Sequence, residues 1–312
     1  MNKSIWIAIV NRTAGGGKTE KDWPLITELL DRYGISYEPH FTNRRLHASI
    51  IARTKIKEGY SKIIVVGGDG TMNEVINGVF AQKRIQTKEV MLGMISVGTG
   101  NDWARMFNIP SDYEGAVQTI KKQRTFIQDA GLVSYRKNDK EWKRYFINIA
   151  GMGFGARVTE RSNRMKDKGK SSPHLYFYNI LLSLLRYKAQ SAEIEIDGKS
   201  FDRKVFSINV GIGKYNGGGM IPVPHAIVDD GLYSITLIKK IGKLNLLANM
   251  KRLYNGTIIN HSKVETYMAK SVQIGGSSKM QIETDGETLG HGPMDFQIIP
   301  RSVTVISGEL SA

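Results

Sequence analysis

Apolar positions along the chain fall into two regimes. In the first third, Ile5 to Val10, Ile35 to Phe41, Lys62 to Val66 and Met91 to Val97 read as strands. The first, third and fourth are near-continuous apolar runs of the kind a parallel sheet buries on both faces. Between them, residues 20–33, 46–58 and 72–80 read as helices, the third with apolar residues at 72, 75, 76, 79 and 80, and another helix is expected over 112–122. Alternation of strand and helix predicts an α/β domain with a parallel sheet. From Thr125 the pattern changes to strands, expected at 126–133, 145–149, 192–197, 203–210, 232–238, 263–268, 271–275, 279–284, 294–299 and 302–307, with helices over 175–185 and 244–253. That half predicts a β-sandwich or barrel-like sheet. The change places a boundary near residue 128. The reading is an α/β domain over 1–128, completed by the last strand within 301–312, and a β-rich domain over 129–300.

Composition narrows the chemistry. A chain of 312 residues suits two domains better than one core. Without cysteine, disulfides, thiolate metal sites and cysteine nucleophiles are excluded. The apolar run at 5–10 is too short for a secretory signal and no stretch reaches the length of a membrane span, so the expectation is a soluble cytoplasmic protein. A net charge of +15 favours anionic partners, either nucleic acid, anionic lipid or a polyanionic substrate. The charge concentrates at 157–170, where Arg157, Arg161, Arg164, Lys166, Lys168 and Lys170 face only Glu160 and Asp167, just before the apolar run 175–185. A basic segment beside an apolar helix suits an anionic membrane surface; a solvated loop leading to a core helix suits the pattern equally.

Candidate chemistry sits at the strand tips. The third strand runs into Gly67-Gly68-Asp69-Gly70-Thr71, with Asn73 and Glu74 behind it. Glycines there let the backbone turn and approach a ligand, Thr71 is placed to cap the helix, and the free N–H groups of a first helical turn attract phosphate. The fourth strand ends in Gly98-Thr99-Gly100-Asn101-Asp102, repeating the design. Two tips of a parallel sheet can share one crevice, Thr99 can donate to a phosphate, and the carboxylates of Asp69 and Asp102 beside phosphates imply Mg²⁺. The first strand opens into Asn11-Arg12-Thr13-Ala14-Gly15-Gly16-Gly17-Lys18, where Asn11 can brace the loop and Lys18 can meet phosphate. It is not a Walker loop, because the pattern needs glycine at position 12 and Arg12 is there. Late in the chain, Asp285-Gly286 reads as a hairpin turn with Glu287 just past it, and Asp229-Asp230-Gly231 is either a cation-binding turn or an ordinary Asp-Gly turn.

Taken in order, Gly67-Gly68-Asp69-Gly70-Thr71 with Asn73-Glu74, Gly98-Thr99-Gly100-Asn101-Asp102-Trp103-Ala104-Arg105, and Asp285-Gly286-Glu287 resemble the diacylglycerol kinase catalytic-domain family, in its soluble bacterial lipid kinase branch. The resemblance covers nearly the whole chain. It implies an N-terminal α/β nucleotide domain of the NAD kinase and diacylglycerol kinase type, a C-terminal β-sandwich, and an active site between them. It implies ATP at Asn11, Thr42, Gly67, Gly68, Asp69, Gly70, Thr71, Met72, Asn73 and Thr99. A catalytic Mg²⁺ would be organised by Asp69 and Asp102, partly through water, and Glu287 would be the base on a lipid hydroxyl. A structural Mg²⁺ would take the side chain of Asp230 and the carbonyls of Ile227 and Leu232. The sequence departs from the family pattern at Arg12, where the first loop usually reads Asn-Pro, and at Trp103, usually Phe.

The implied partner is a lipid substrate at the surface of an anionic membrane, diacylglycerol by default, without nucleic acid and without a spanning segment. Edge pairing of the C-terminal strands leaves a homodimer open. Two other readings stand beside this one: an NAD kinase-like or other small-molecule kinase, and a non-catalytic nucleotide-responsive or nucleic-acid-binding regulator. The late Asp-Gly-Glu leans away from the first, and retention of all three carboxylates leans away from the second.

Overall fold

The computed structural model describes residues 4–98, 100–167, 178, 182–184, 186–276 and 280–309. Thr99, residues 168–170 of the basic segment and most of the run 175–185 lie outside the described residues. The chain divides into two compact units, residues 1–129 with 301–312 and residues 130–300.

In the first unit, β1 (Trp6–Val10), β2 (Tyr37–Phe41), β3 (Lys62–Gly67) and β4 (Met91–Ser96) form a parallel sheet in the order β4-β3-β1-β2, with the end of β14 (Glu287–Ile306) beside β4. All five residues of β1 are buried, as an apolar run covered on both faces requires. Helices α1 (Ala14–Arg32), α2 (His47–Lys57), α3 (Asp69–Ala81), α4 (Asp102–Met106) and α5 (Tyr113–Lys122) follow the strands. α5 begins where the Asp112 side chain accepts from the Gly115 amide at 2.7 Å, and ends on Lys121 and Lys122, whose charge suits a helix C-terminus. The start of α2 is capped from outside: Glu74, on α3, accepts from the amides of Leu46 (2.7 Å) and Ala48 (3.1 Å).

The second unit is β-rich, as its period predicts. It holds β5 (Thr125–Lys137), β6 (Lys140–Phe146), β7 (Ile149–Gly153), β8 (Gln190–Ile196), β9 (Lys199–Gly211), β10 (Tyr233–Lys239), β11 (Val264–Ala269), β12 (Ser271–Ile274), β13 (Gln281–Thr284) and most of β14. Its strands pair antiparallel, in the order β11-β10-β9-β7-β13-β14, and β8 and β12 pair with each other. Their inward residues, among them Phe146, Tyr233 and Phe296, make one apolar core. Three hairpins turn in two residues, both with positive φ: Asn138-Asp139, Asp197-Gly198 and Asp285-Gly286. That is the conformation whose twist matches the flanking strands.

Several elements differ from expectation. Residues 294–299 and 302–306 belong to one strand, β14, which continues through Pro300 and Arg301 (φ 46°), with Ser307 just beyond its end. The basic segment is helical as far as Asp167, forming α6 (Phe154–Asp167), in which Glu160 pairs with both Arg157 and Arg164. The strand expected over 145–149 is split between the end of β6 and the start of β7, a wholly buried strand between β9 and β13. The expected helix over 244–253 is two short ones, α7 (Lys243–Ala248) and α8 (Met250–Tyr254), broken at Asn249. Of the run 175–185, residues 178 and 182–184 are helical, and Leu184 packs on Phe206, Ile238 and Leu246.

Candidate active site

Four strand tips of the first unit, those of β1 to β4, carry the candidate groups. At the end of β1 the Asn11 amide donates to the carbonyl of Val66 on β3 (2.9 Å), and its side chain works in two directions. Nδ2 donates to Thr71 Oγ1 at 2.9 Å, while Oδ1 accepts from the Thr13 amide (3.2 Å) and hydroxyl (2.9 Å). Asn11 thereby ties the first loop to the first turn of α3. Thr71 is thus an acceptor inside the helix and not its cap; α3 starts at Asp69 after Gly68. The loop itself turns through Gly15, Gly16 and Gly17, all with φ between 62° and 89°. Three successive left-handed residues are open only to glycine at low cost, and the Gly17 amide closes the turn on the Thr13 carbonyl (3.2 Å). Thr42, at the tip of β2, donates its amide to Val10 (2.9 Å).

Lys18, just after this loop, is not a free cation. Its ammonium pairs with Asp22 and with the Tyr113 hydroxyl (2.8 Å). Those two partners, Asp22 first, hold it above its ordinary pKa. Asp22 stands one helical turn after Lys18, a spacing legible in the sequence; Tyr113, far along the chain, is not.

The tips of β3 and β4 meet through Asp69. Its carboxylate accepts from the backbone amides of Asp102 (3.1 Å) and Trp103 (3.2 Å). Asp102 is buried. Gly100 lies between the two carboxylates: a Cβ there would stand 3.3 Å from Asp69 Oδ2 and 3.8 Å from Asp102 Oδ2. The buried Asn101 Oδ1 in the same loop has no hydrogen-bond partner. Two acidic oxygens facing one small gap fit a hard cation that completes its shell with water and phosphate. Among the described residues no group of three His, Cys, Asp or Glu side chains could hold a metal by itself. Met72 and Asn73 are fully buried, and the Met72 amide donates to the Gly68 carbonyl (3.2 Å). Trp103, where the family pattern has Phe, is buried in the core and donates from its indole to Gln128 (3.0 Å).

In the second unit, Glu287 is the first residue of β14, paired with Thr284 across the Asp285-Gly286 turn. The turn is held from below. The Asp285 carboxylate accepts from the amides of Ile147 (3.0 Å), Asn148 (3.0 Å) and Ile149 (3.2 Å). Glu283, fully buried, accepts from the Gly286 amide at 2.9 Å and from Asn216 Nδ2 at 3.2 Å. Burial pushes its carboxyl up to about 8; the Gly286 and Asn216 donors act the other way, and the charges of Asp285 and Glu287 add to the rise. The pattern of the sequence does not single out Glu283: its strand, Gln281-Ile282-Glu283-Thr284, holds one apolar residue and carries no mark of burial. At the other acidic spot, Asp230 Oδ1 accepts from the Leu232 amide (3.0 Å), closing a local turn, and Ile227 is an exposed residue three positions before it.

Comparison with known proteins bears on the family and the fold. The family described as "Diacylglycerol kinase catalytic domain" matches residues 6–133, and "YegS C-terminal NAD kinase beta sandwich-like domain" matches 148–307. A protein named diacylglycerol kinase from Staphylococcus haemolyticus is 32% identical over 299 residues, covering 95% of this chain and 86% of its own. One of the same name from Staphylococcus carnosus is 29% identical, covering 95% and 93%. Among solved structures, a diacylglycerol kinase from Bacillus anthracis aligns over 97% of each chain with a TM-score of 0.71 at 22% identity. Yeast NADH kinase aligns over 99% of this chain and 85% of its own with a TM-score of 0.54 at 11% identity. At such identities the two structures speak for the fold: an α/β unit and a β-sandwich-like unit.

Proposed function

This chain belongs to the diacylglycerol kinase catalytic-domain family, and from that premise we propose that it transfers the γ-phosphoryl group of ATP to the hydroxyl of a lipid, with diacylglycerol as the acceptor. The observation that carries the reading is the Asp69 carboxylate, bonded to the amides of Asp102 and Trp103 and facing Asp102 across Gly100. Glycine-lined tips cradle polyphosphate, and the fixed carboxylate pair beside them suits Mg²⁺.

Phosphoryl transfer asks a protein mainly for position and charge compensation. The amides of Gly15 and Gly16, and those of Asp69 and Gly70 at the start of α3, would donate to phosphate oxygens, while the amides of Gly17, Thr71 and Met72 are held by the carbonyls of Thr13 and Gly68. Asn11 keeps those two segments in register through Thr71. Asp69 and Asp102 would hold Mg²⁺, which when bound offsets charge on the phosphate oxygens. Glu287 accepts the proton of the acceptor hydroxyl as that oxygen bonds to the γ-phosphorus and the bond to ADP breaks. Asp230, with the carbonyls of Ile227 and Leu232, would hold a second, structural Mg²⁺.

Incubating the full chain with labelled ATP, Mg²⁺ and a panel of diacylglycerol, phosphatidylglycerol, a long-chain prenol, a sphingoid base and NAD tests the reading. The expected product is labelled phosphatidic acid. Label in NAD phosphate and in no lipid would overturn it. Glu287→Gln is expected to lower kcat roughly a hundredfold or more, the ordinary worth of a general base. Full activity in that variant would remove Glu287 from the role.

A further inference from the structure

The β5–β6 hairpin carries an exposed aromatic that the core does not use. Residues 136–143 are all exposed, and β6 pairs with no described strand other than β5. Trp142 is 52% exposed, whereas Trp6 and Trp103 are buried, and Trp23 packs on Tyr37 and Phe41. The register sets Trp142 opposite Tyr135, Lys140 opposite Lys137 and Arg144 opposite Val133. Side chains two apart share a face, so Trp142 is flanked by Lys137 and Lys140 on one side and Arg144 on the other. Between residues 136 and 144 five cations stand against Asp139 and Glu141.

Charge alone has a plain explanation, since lysines on an edge strand prevent pairing with other sheets. An exposed indole works against that purpose, because it adds an adhesive apolar surface to the guarded edge. The two features agree at a lipid–water interface. Tryptophan settles at headgroup level, and lysines near an anionic surface each gain about 1 kcal/mol. Nucleic acid is the other polyanion with a use for aromatics, but strand-binding grooves stack successive bases on several aromatic side chains. Here Trp142 is the one large exposed aromatic among cations on this hairpin.

We propose that the β5–β6 hairpin docks the protein on an anionic bilayer, Trp142 entering the interface while Lys137, Lys140 and Arg144 meet lipid phosphates. The proposal deepens the lipid-kinase reading and rests on it for its purpose. Docking itself is measurable without catalysis.

The test is co-sedimentation of the full chain with vesicles of phosphatidylcholine alone and of phosphatidylcholine with phosphatidylglycerol. Binding is expected to the anionic vesicles only, weakening with salt. Lys137→Ala and Lys140→Ala should each cost about fivefold in affinity, and Trp142→Ala should cost at least as much. The blue shift of tryptophan emission on binding should be missing in Trp142→Phe. Activity toward a short-chain, monomeric diacylglycerol should be unchanged in these variants, which also shows that they fold. Equal vesicle binding by wild type and Trp142→Ala, or an equal blue shift in Trp142→Phe, overturns the proposal. So does a hairpin substitution that abolishes binding to single-stranded RNA while vesicle binding persists. Trp142-dependent docking by a protein that phosphorylates no lipid would leave the docking surface standing and remove the kinase reading. Lipid phosphorylation without such docking would do the reverse.

Discussion

Glu283 shows how one side chain can serve geometry and set a pH dependence together. Folded, it keeps its proton up to about 8. Unfolded, it loses the proton near the ordinary glutamate value of 4.5. Between those values the folded state binds one more proton than the unfolded chain, so stability falls as pH rises. The contribution is complete below about 4.5 and gone above about 8, with a slope approaching 1.4 kcal/mol per pH unit between. Glu283→Gln has no proton to lose. Its amide can still accept from Gly286, and Asn216 can turn its own amide to match. The difference in unfolding free energy between the two proteins, followed by urea titration across that window, should therefore change by a few kcal/mol. A flat difference would show that Glu283 ionises normally. Asp69 illustrates the opposite balance. Asp69→Asn retains an acceptor for one of the two amides it now serves, at a stability cost of about 1 kcal/mol. Phosphoryl transfer should nevertheless fall by roughly 10²–10³, and wild-type turnover in a folded Asp69→Asn protein would dismiss the carboxylate pair as the metal-holding group.

Elements were legible where one local rule decided them. The buried apolar runs 6–10, 62–67 and 91–96 are strands, and the Asp285-Gly286 pair is the tight turn that its chemistry requires. Two glycine-rich tips ending in Asp69 and Asp102 were visible from composition and spacing alone. What escapes depends on pairing and burial. Lys18 reads as a phosphate ligand, yet its ammonium is held by Asp22, one turn on, and by the distant Tyr113. Glu283 goes unmarked, because burial of a strand on both faces leaves no mark in four residues. The packing of α2 on α3 was equally hidden. A Cβ at Gly78 would come within 2.4 Å of the Ser49 carbonyl oxygen and 2.9 Å of Ala52 Cβ. Helix propensity favours Gly78→Ala by about 1 kcal/mol; overpacking against a rigid backbone costs about 1–3 kcal/mol. The variant should melt below wild type, and a raised melting temperature would mean that the two helices separate freely. Since Glu74 on α3 caps α2, separation should also weaken ATP binding to the tips these helices follow.

At the scale of the whole chain, the first unit is not a continuous segment. The polypeptide leaves it within β5 and returns within β14, and residues 301–312 are part of it. The returning strand lies parallel to β4, with Thr304 opposite Met91 and Val305 opposite Leu92. Val303, Val305 and Ile306 are buried in the core. Its backbone is tied down as well: the Arg301 amide donates to Asp129 (2.7 Å), the Ser307 amide to Arg124 (3.0 Å) and the Gly308 amide to Phe107 (2.8 Å). Three buried aliphatic side chains are worth roughly 1.5–3 kcal/mol each, which together approaches the entire stability of an ordinary domain. A chain ending at Pro300 is therefore expected to lose the first unit while retaining the second, whose strands all lie before that point. Limited proteolysis should digest residues 1–129 and leave a resistant fragment close to 130–300, and ATP should no longer protect the protein against heat. Two cooperative unfolding transitions in the shortened chain would show that the four remaining parallel strands hold together without the fifth.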